Sequence, residues 1–203
     1  MSPDPNVSRA ADWRTALPTL MGRAVSLREP MAHDLGPLVD ILSLADATRF
    51  GIDEAITELA VQQLVDRAIR ERGAGLSFTY VINAAGGRMV VGLIQMRQVD
   101  APFETAECEC TIAPSARGTG VFLETARLVG SLAFGSMGTH RIEARVALQN
   151  GRANGAMRKL GAVQEGILRR SMRQHGEYVD QVLWSLLKED WGDHWVSTGP
   201  RVH

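Results

Sequence analysis

The stretch 107–161 constrains the fold of this chain more than any other part of the sequence. An alternating segment ends at Pro114, and a glycine-rich loop then leads directly into a helical pattern. A second alternating segment follows, and the next helical pattern stops at Gly161. These patterns predict a central β-α-β-α unit: a strand over 105–113, a helix over 119–136, a strand over 141–148 and a helix over 150–160.

Strand patterns typical of antiparallel pairs flank this unit on both sides. Before the unit we predict strands over 23–28, 76–83 and 89–99, with helices over 34–42 and 53–72, the second ended by Gly73. After the unit we predict two final strands over 162–173 and 178–188. This order predicts an α+β fold of three α/β/α layers, in which a mixed, mostly antiparallel sheet carries helices on both faces.

Length and composition indicate one domain, which we place at 21–191 between a flexible leader over 1–20 and a tail over 192–203. The net charge of −1 argues against a general nucleic-acid binder, because such proteins are normally basic. The sequence has no run of about 18 apolar residues and no apolar signal segment near residue 1. We therefore predict neither a membrane span nor secretion.

The two cysteines, Cys108 and Cys110, are too close in sequence to form a useful disulfide. A reducing, cytoplasmic location is therefore predicted. A metal site is the alternative interpretation of this pair, but structural zinc takes four ligands and the nearest histidine in the sequence is His140. We predict no metal site, and we expect both thiols to lie on one half-buried strand face.

The loop Arg117-Gly118-Thr119-Gly120 is a candidate cradle for a pyrophosphate. Glycines let backbone N–H groups approach a ligand closely, and a helix N-terminus favours anionic oxygens. A tight turn without a ligand is the alternative. The loop is not a P-loop, since no Gly-Lys-Ser/Thr follows, and it lacks the third glycine of a dinucleotide fingerprint. A nucleotide-binding oxidoreductase, which would bind NAD(P), is a remote further interpretation.

Five segments in order resemble the GNAT superfamily of acyltransferases, in particular the Rim-type branch that acetylates the N-termini of ribosomal proteins. The resemblance covers 23–191, and its most specific segment is the fourth of the five. They read GRAVSLREP, AECECTIAP, RGTGVFLETARLVGSLAF, HRIEARVALQNGRANGAMRKLGAVQEGILRR and GEYVDQVLWSLLKEDW. The resemblance implies the GNAT fold and transfer of acetyl from acetyl-CoA, or of another short acyl group, to a primary amine in a ternary complex.

The resemblance also implies which residues hold acyl-CoA. The glycine loop and the first helical turn would wrap the pyrophosphate, and the preceding strand end would present its backbone to pantetheine. An N–H near Ile112 would polarise the thioester carbonyl. One departure is Phe122, which stands where the family has Gly or Ala and predicts a crowded cradle. The implied residues are Ile112, Ala113, Arg117, Gly118, Thr119, Gly120, Val121, Phe122 and Asn150.

Glu107 is the candidate general base, because it matches the glutamate of the family's Ala-Glu strand motif. Glu109 and Thr111 share its face if the strand is regular. Two carboxylates on one face raise the pKa of one of them or attract a cationic amine, and we take both as candidate catalytic residues. A solvated strand face without chemistry is the alternative.

Two further departures bear on turnover. Ala153 and Met157 stand where family members carry a serine or a tyrosine that protonates the departing thiolate. Their absence motivates a second hypothesis, an acyl-CoA binding or sensor module without efficient turnover. Asp46, Arg49 and His175 fall in segments expected to border the amine acceptor. By analogy alone, a homodimer is expected.

Overall fold

The computed structural model describes residues 12–43, 56–174 and 176–191. Within these ranges, the four helices named below and seven of the eight strands of one sheet follow the predicted order; the first strand, Leu20–Met21, lies in the segment predicted to be a leader. The elements are β1 (Leu20–Met21), β2 (Val25–Arg28), α1 (Leu35–Leu42), α2 (Glu58–Ala74), β3 (Ser77–Ala84), β4 (Val90–Asp100), β5 (Thr105–Ile112), α3 (Val121–Leu132), β6 (Arg141–Ala147), α4 (Gly151–Leu160), β7 (Val163–Gln174) and β8 (Glu177–Leu187).

The sheet has the strand order β1-β2-β3-β4-β5-β6-β8-β7. Its pairs are antiparallel except β5 with β6, which run parallel with α3 between them in the chain. The predicted α+β fold with a mixed, mostly antiparallel sheet is therefore confirmed. The candidate site lies at this single parallel pair of strands.

Two hydrophobic cores lie on opposite faces of the sheet. The larger one packs α3 and α4 against the sheet, with Trp184, Tyr80 and Phe78 among its largest side chains. The smaller core places α1 and α2 on the other face of β3 and β4. The strand β3 is buried almost throughout because it is covered on both faces.

The second helix ends two residues later than predicted. Gly73 lies inside α2, and the helix is capped instead by Gly75, whose φ of 75° is left-handed. The Gly75 N–H donates to the carbonyls of Arg72 and Glu71, a cap that a residue with a side chain would form only under strain. The helix begins at Glu58 after its N-cap Thr57; the predicted start at 53 lies outside the described residues.

The chain before β2 lies against the larger core. The indole of Trp13 packs edge-on against Phe78 and Phe103, and the Tyr80 hydroxyl donates to the Pro18 carbonyl at 2.9 Å. Part of the segment assigned to a leader, residues 12–20, is therefore in contact with the domain. Residues 1–11 and the tail 192–203 lie outside the described residues.

No helix in the described ranges has both the length and the apolar character that a bilayer crossing requires.

Candidate active site

The candidate site opens where the two parallel strands separate. β5 pairs with β6 only through Thr105–Arg141, Ala106–Ile142 and Glu107–Glu143. Beyond Glu107, β5 continues to Ile112 and stays paired with β4, whereas β6 diverges toward α4 and stays paired with β8. A wedge-shaped gap therefore forms in the middle of the sheet.

Backbone donors of β5 point into this gap. The Ala113 N–H donates to the Val91 carbonyl at 2.8 Å, and antiparallel pairs alternate in the direction of their hydrogen bonds. In the register that pairs Gly92 with Ile112, the N–H groups of Cys110 and Ile112 therefore face away from β4. An extended ligand with amide groups can bind along this edge as an added strand.

A cavity of about 880 Å³ fills the gap and extends between α3 and α4. Both candidate carboxylates, Glu107 and Glu109, line it. So do six of the nine residues implied for acyl-CoA: Ile112, Arg117, Gly118, Gly120, Phe122 and Asn150. Ala113, Thr119 and Val121 complete the same strand end, loop and first helical turn. The volume lies within the range of about 300–1,000 Å³ typical of ligand sites.

The glycine loop leaves room for an anion at the start of α3. Gly118 and Gly120 have φ values of 78° and 89°, and a Cβ built on either would meet no atom within 4 Å. Among the described residues, no side chain caps the exposed N–H groups of the first turn. The ring of Phe122 packs partly against the larger core and also lines the cavity, but none of its atoms lies within 4 Å of a Cβ built on Gly118 or Gly120. The cradle therefore fits a pyrophosphate.

Replacing Gly120 by Ala is expected to raise the Kd for acetyl-CoA at least about tenfold, because the Cβ occupies the cradle and strains the left-handed backbone. The strain alone costs about 1 kcal/mol. Gly138→Ala is the matched control, since Gly138 also has a positive φ of 81° and open space around its Cβ but is not part of the cavity lining. Calorimetric titration should show weakened binding for Gly120→Ala only; equal Kd values for both variants would contradict the cradle.

Asn150, which the sequence predicts to contact pantetheine, also forms a hydrogen bond within the protein. Its side-chain oxygen accepts from the Ala153 N–H at 3.1 Å and so caps α4. Its amide nitrogen is the group that would face a ligand. Below it, Asn154 is buried and donates to the carbonyls of Ala147 and Asn150, and its oxygen accepts from the Trp184 indole at 2.9 Å. This network holds the turn between β6 and α4 at the edge of the cavity.

Glu107 is held by two arginines rather than free. Its Oε1 accepts from the Arg145 guanidinium at 2.7 Å, and its Oε2 pairs with Arg97. The side chain is only 14% exposed. Because both oxygens are engaged, this carboxylate is better arranged to fix the two arginines than to accept a proton.

Glu109 lies two residues further along β5 on the same face. Among the described residues, it forms no ion pair. Glu109 is an exposed residue, yet the surrounding cleft partly desolvates its carboxyl and raises its pKa; the negative charge of Glu107 raises the pKa further, while Arg97 opposes both effects. A carboxyl with a raised pKa that faces a cavity is a candidate general base. The two carboxylates therefore lie next to each other on one strand face, and Glu109 is the one whose pKa is raised.

A row of ion pairs continues from Glu107 across the sheet. Arg145 also approaches Glu143, and Glu143 pairs with Arg141. The Arg141 guanidinium in turn donates to both carboxylate oxygens of Glu165 on β7. The hydrogen bonds from Arg141 and Ser185 lower the pKa of Glu165 to about 2. The sequence analysis did not identify Arg97 and Arg145, because each lies on a different strand from Glu107. The alternating charges of 141–145 were the pattern that could have pointed to Arg145.

The two cysteines lie on the opposite face of β5 from the carboxylates. Burial raises the pKa of the Cys108 thiol to about 12, with Glu109 and Glu107 adding to the shift, and burial likewise raises the pKa of Cys110. Neither thiol is therefore arranged as a thiolate nucleophile. Within the described ranges, no three histidine, cysteine or acidic side chains come together as a metal site would require.

Both thiols should react slowly with a disulfide reagent such as DTNB. At pH 8 the thiolate fraction of Cys108 is lower than that of an ordinary cysteine by roughly two orders of magnitude or more. Stopped-flow absorbance should show slow labelling of the native protein and rapid labelling in guanidinium chloride. Native labelling as fast as that of the unfolded chain would contradict the burial of these groups.

The remaining predicted positions have mixed outcomes. Ala153 and Met157 both line the cavity, and neither side chain carries a hydroxyl. Asp46, Arg49 and His175 lie outside the described residues.

Comparison with known proteins agrees with this geometry. Residues 25–163 match the family model described as the acetyltransferase (GNAT) domain. The Bacillus subtilis protein YdaF, named provisionally as a ribosomal N-acetyltransferase, is 27% identical over 100 residues, which cover 49% of this chain and 55% of YdaF. The chain thus spans about half the length of that curated relative.

Solved structures share the fold over most of the chain. A provisionally assigned acetyltransferase from T. thermophilus has 26% identity and a TM-score of 0.73, covering 86% of this chain and 92% of its own. Mycobacterium smegmatis RimJ in complex with CoA-disulfide has 19% identity and a TM-score of 0.75, covering 85% and 87%, and shows likeness of fold alone. The family match over 25–163, together with the separated parallel strands and the glycine loop, places this chain in the GNAT acetyltransferase family.

Proposed function

We propose that this chain transfers an acetyl group from acetyl-CoA to a primary amine by direct attack within a ternary complex. The observation that carries the proposal is the gap between β5 and β6, with the glycine cradle at one end and two carboxylates on the adjacent strand face. The acceptor would be a protein N-terminus, a lysine or a small-molecule amine. The free thiols and the reaction fit a reducing, cytoplasmic compartment, and a homodimer is part of the proposal only by analogy.

In this proposal the backbone holds the donor. The N–H groups at the start of α3 and in 118–120 bind the pyrophosphate, since the Arg117 N–H already donates to the Pro114 carbonyl, while the edge of β5 that faces the gap binds the amides of pantetheine. The N–H of Ile112 or Cys110 donates to the thioester oxygen as negative charge develops there. The amide nitrogen of Asn150 donates to the same arm from the other side of the gap.

Two side chains of β5, Glu109 and Glu107, have different roles in the proposed reaction. The amine nitrogen attacks the thioester carbonyl carbon, a C–N bond forms, the C–S bond breaks, and CoA leaves as a thiolate. The proton lost by the nitrogen passes to Glu109, whose pKa is raised by desolvation and by the charge of Glu107. Glu107 acts through Arg97 and Arg145 as a positioning residue. Positioning of two bound reactants supplies much of the rate enhancement.

A binding or sensor module is the second candidate function. Ala153 and Met157 carry no hydroxyl, so no side chain at these positions can protonate the departing thiolate. Under the first proposal the thiolate leaves to water through the open cavity. Under the second, acyl-CoA binds and no acyl group is transferred.

The first experiment is thermal unfolding with acetyl-CoA, succinyl-CoA or NAD at saturation. A ligand at 100 times its Kd adds about 2.7 kcal/mol to the free energy of unfolding. Stabilisation by an acyl-CoA and not by NAD supports the donor assignment, and release of free CoA thiol on adding an amine then favours the enzyme over the sensor. Stabilisation by NAD alone, or by no ligand, would contradict the donor assignment.

A further inference from the structure

A second cavity lies on the face of the sheet that α1 and α2 cover. It has a volume of about 200 Å³ and sits between the two helices α1 and α2 and the strands β4 and β5. We call it the side-chain pocket. Its walls are apolar: Leu42, Ile56, Ala60, Val61, Leu64 and Leu93.

Three polar side chains lie at one end of the side-chain pocket. Gln95, Glu109 and Thr111 come from neighbouring positions of β4 and β5, where Gln95 pairs directly with Glu109. Among the described residues that line the pocket, Glu109 is the only one with an ionisable side chain. The pocket thus combines an apolar interior with a single carboxylate.

Glu109 and Thr111 also line the larger cavity between β5 and β6. The two cavities therefore meet on one face of β5, at the carboxylate assigned above as the base. In the proposed reaction, an amine that donates to Glu109 would lie at this junction, next to both cavities.

The size of the pocket suits one side chain. A volume of about 200 Å³ corresponds to roughly seven water molecules, and it is below the range of about 300–1,000 Å³ typical of whole small-molecule ligands. An apolar side chain of medium size fills such a space and displaces water from the surface of the six apolar residues.

We infer that the acceptor is an amine whose adjacent carbon bears a compact apolar side chain, and that the side-chain pocket binds this group. The inference rests on the proposed function and narrows it. A polyamine or an aminoglycoside carries several cations and would need several free carboxylates. The other carboxylate on this face of β5, Glu107, is already paired with Arg97 and Arg145. A lysine or aspartate side chain would lose its hydration against the six apolar residues, while Glu109 is engaged by the reacting amine.

The test measures kcat/KM for acetylation of tripeptide amides with a free N-terminus. The peptides differ only in the first residue, which is Gly, Leu, Met, Lys or Asp, and spermidine and Nα-blocked lysine are included. The Leu and Met peptides should exceed the Gly, Lys and Asp peptides by about tenfold or more, the usual effect of filling an apolar pocket. Equal values across the peptides, or a preference for spermidine or blocked lysine, would overturn the inference and leave the proposed function intact. No acetylation of any amine would overturn both.

Three variants locate the effect. Ala60→Phe fills the pocket from α2, and should lower the ratio of kcat/KM for the Leu peptide to kcat/KM for the Gly peptide by at least about tenfold. Gln63→Phe is the matched control, because it adds the same ring to an exposed position of α2 that does not line the pocket. Leu64→Ala enlarges the pocket and should shift the preference toward a Phe peptide. A Leu preference that survives Ala60→Phe and Leu64→Ala in folded protein would place the side chain elsewhere and overturn the inference.

Discussion

Replacing Glu109 by Gln is expected to lower kcat by about 10²–10⁴-fold while leaving the Kd for acetyl-CoA within a factor of about two. General base catalysis contributes an effect of this size, and the amide keeps the shape of the side chain but cannot accept the proton. The measurement is the steady-state rate of CoA thiol release at saturating acetyl-CoA, combined with calorimetric binding. An unchanged kcat in a folded variant would remove Glu109 from the mechanism.

Glu107→Gln is the matched control on the same strand face. It leaves Glu109 in place, so its effect on kcat should be smaller, and it should show in the pH profile. Glu109 must be ionised to act, so kcat falls as pH falls through its raised pKa, at an inflection above the ordinary glutamate value of about 4.3. Removing the charge of Glu107 should move this inflection to lower pH. A larger loss of kcat in Glu107→Gln than in Glu109→Gln would reverse the two assignments.

Replacing Asp34 by Ala is expected to reduce the free energy of unfolding by about 3 kcal/mol. The Asp34 side chain is 1% exposed and accepts from both terminal nitrogens of Arg28, at 2.6 and 2.7 Å, and from the Met31 N–H at 2.8 Å. Its loss leaves Arg28 without its partner at the start of α1. For a chain of this size the melting temperature should fall by about 6–12 °C.

The effect of Asp34 should also depend on pH. Burial alone would raise the pKa of this carboxyl, but the hydrogen bonds from Arg28 and Met31 outweigh burial and lower it. A carboxyl whose pKa is lower in the folded state stabilises the fold above its unfolded pKa of about 3.9, and this contribution is lost as pH falls through the folded value. The difference in melting temperature between wild type and Asp34→Ala should therefore shrink below about pH 4. Asp40→Ala, at an exposed position of α1, should change stability by less than about 0.5 kcal/mol.

Local patterns in the sequence predicted the elements that carry the site. Alternation identified β5 and β6, and the loop 117–120 marked the start of α3, because strand faces and helix starts depend on residues close in the chain. The predicted end of α2 was wrong by two residues, because Gly73 and Gly75 are both able to cap a helix. In the folded chain the helix continues through Gly73, and Gly75 takes the left-handed conformation that caps it.

The electrostatics of the site could not be predicted from local patterns. Glu107 reads as a free carboxylate in the sequence, yet Arg97 and Arg145 reach it from the strands on either side. That arrangement depends on the register between β4 and β5 and on the parallel pairing of β5 with β6. Asn150 likewise matches a ligand-binding position in the sequence, while its role as the cap of α4 appears only in the folded chain.

The most direct measurement is the mass of an amine acceptor incubated with the protein and acetyl-CoA, together with the amount of CoA thiol released. The Leu tripeptide amide is the first acceptor to use, and blocked lysine and spermidine extend the test to other amines. At least one acceptor should gain one acetyl group on nitrogen, and one thiol should appear for each amide formed. Tight binding of acetyl-CoA with no acetylated amine in any of the three reactions would contradict this prediction, and would identify the chain as a binding module instead.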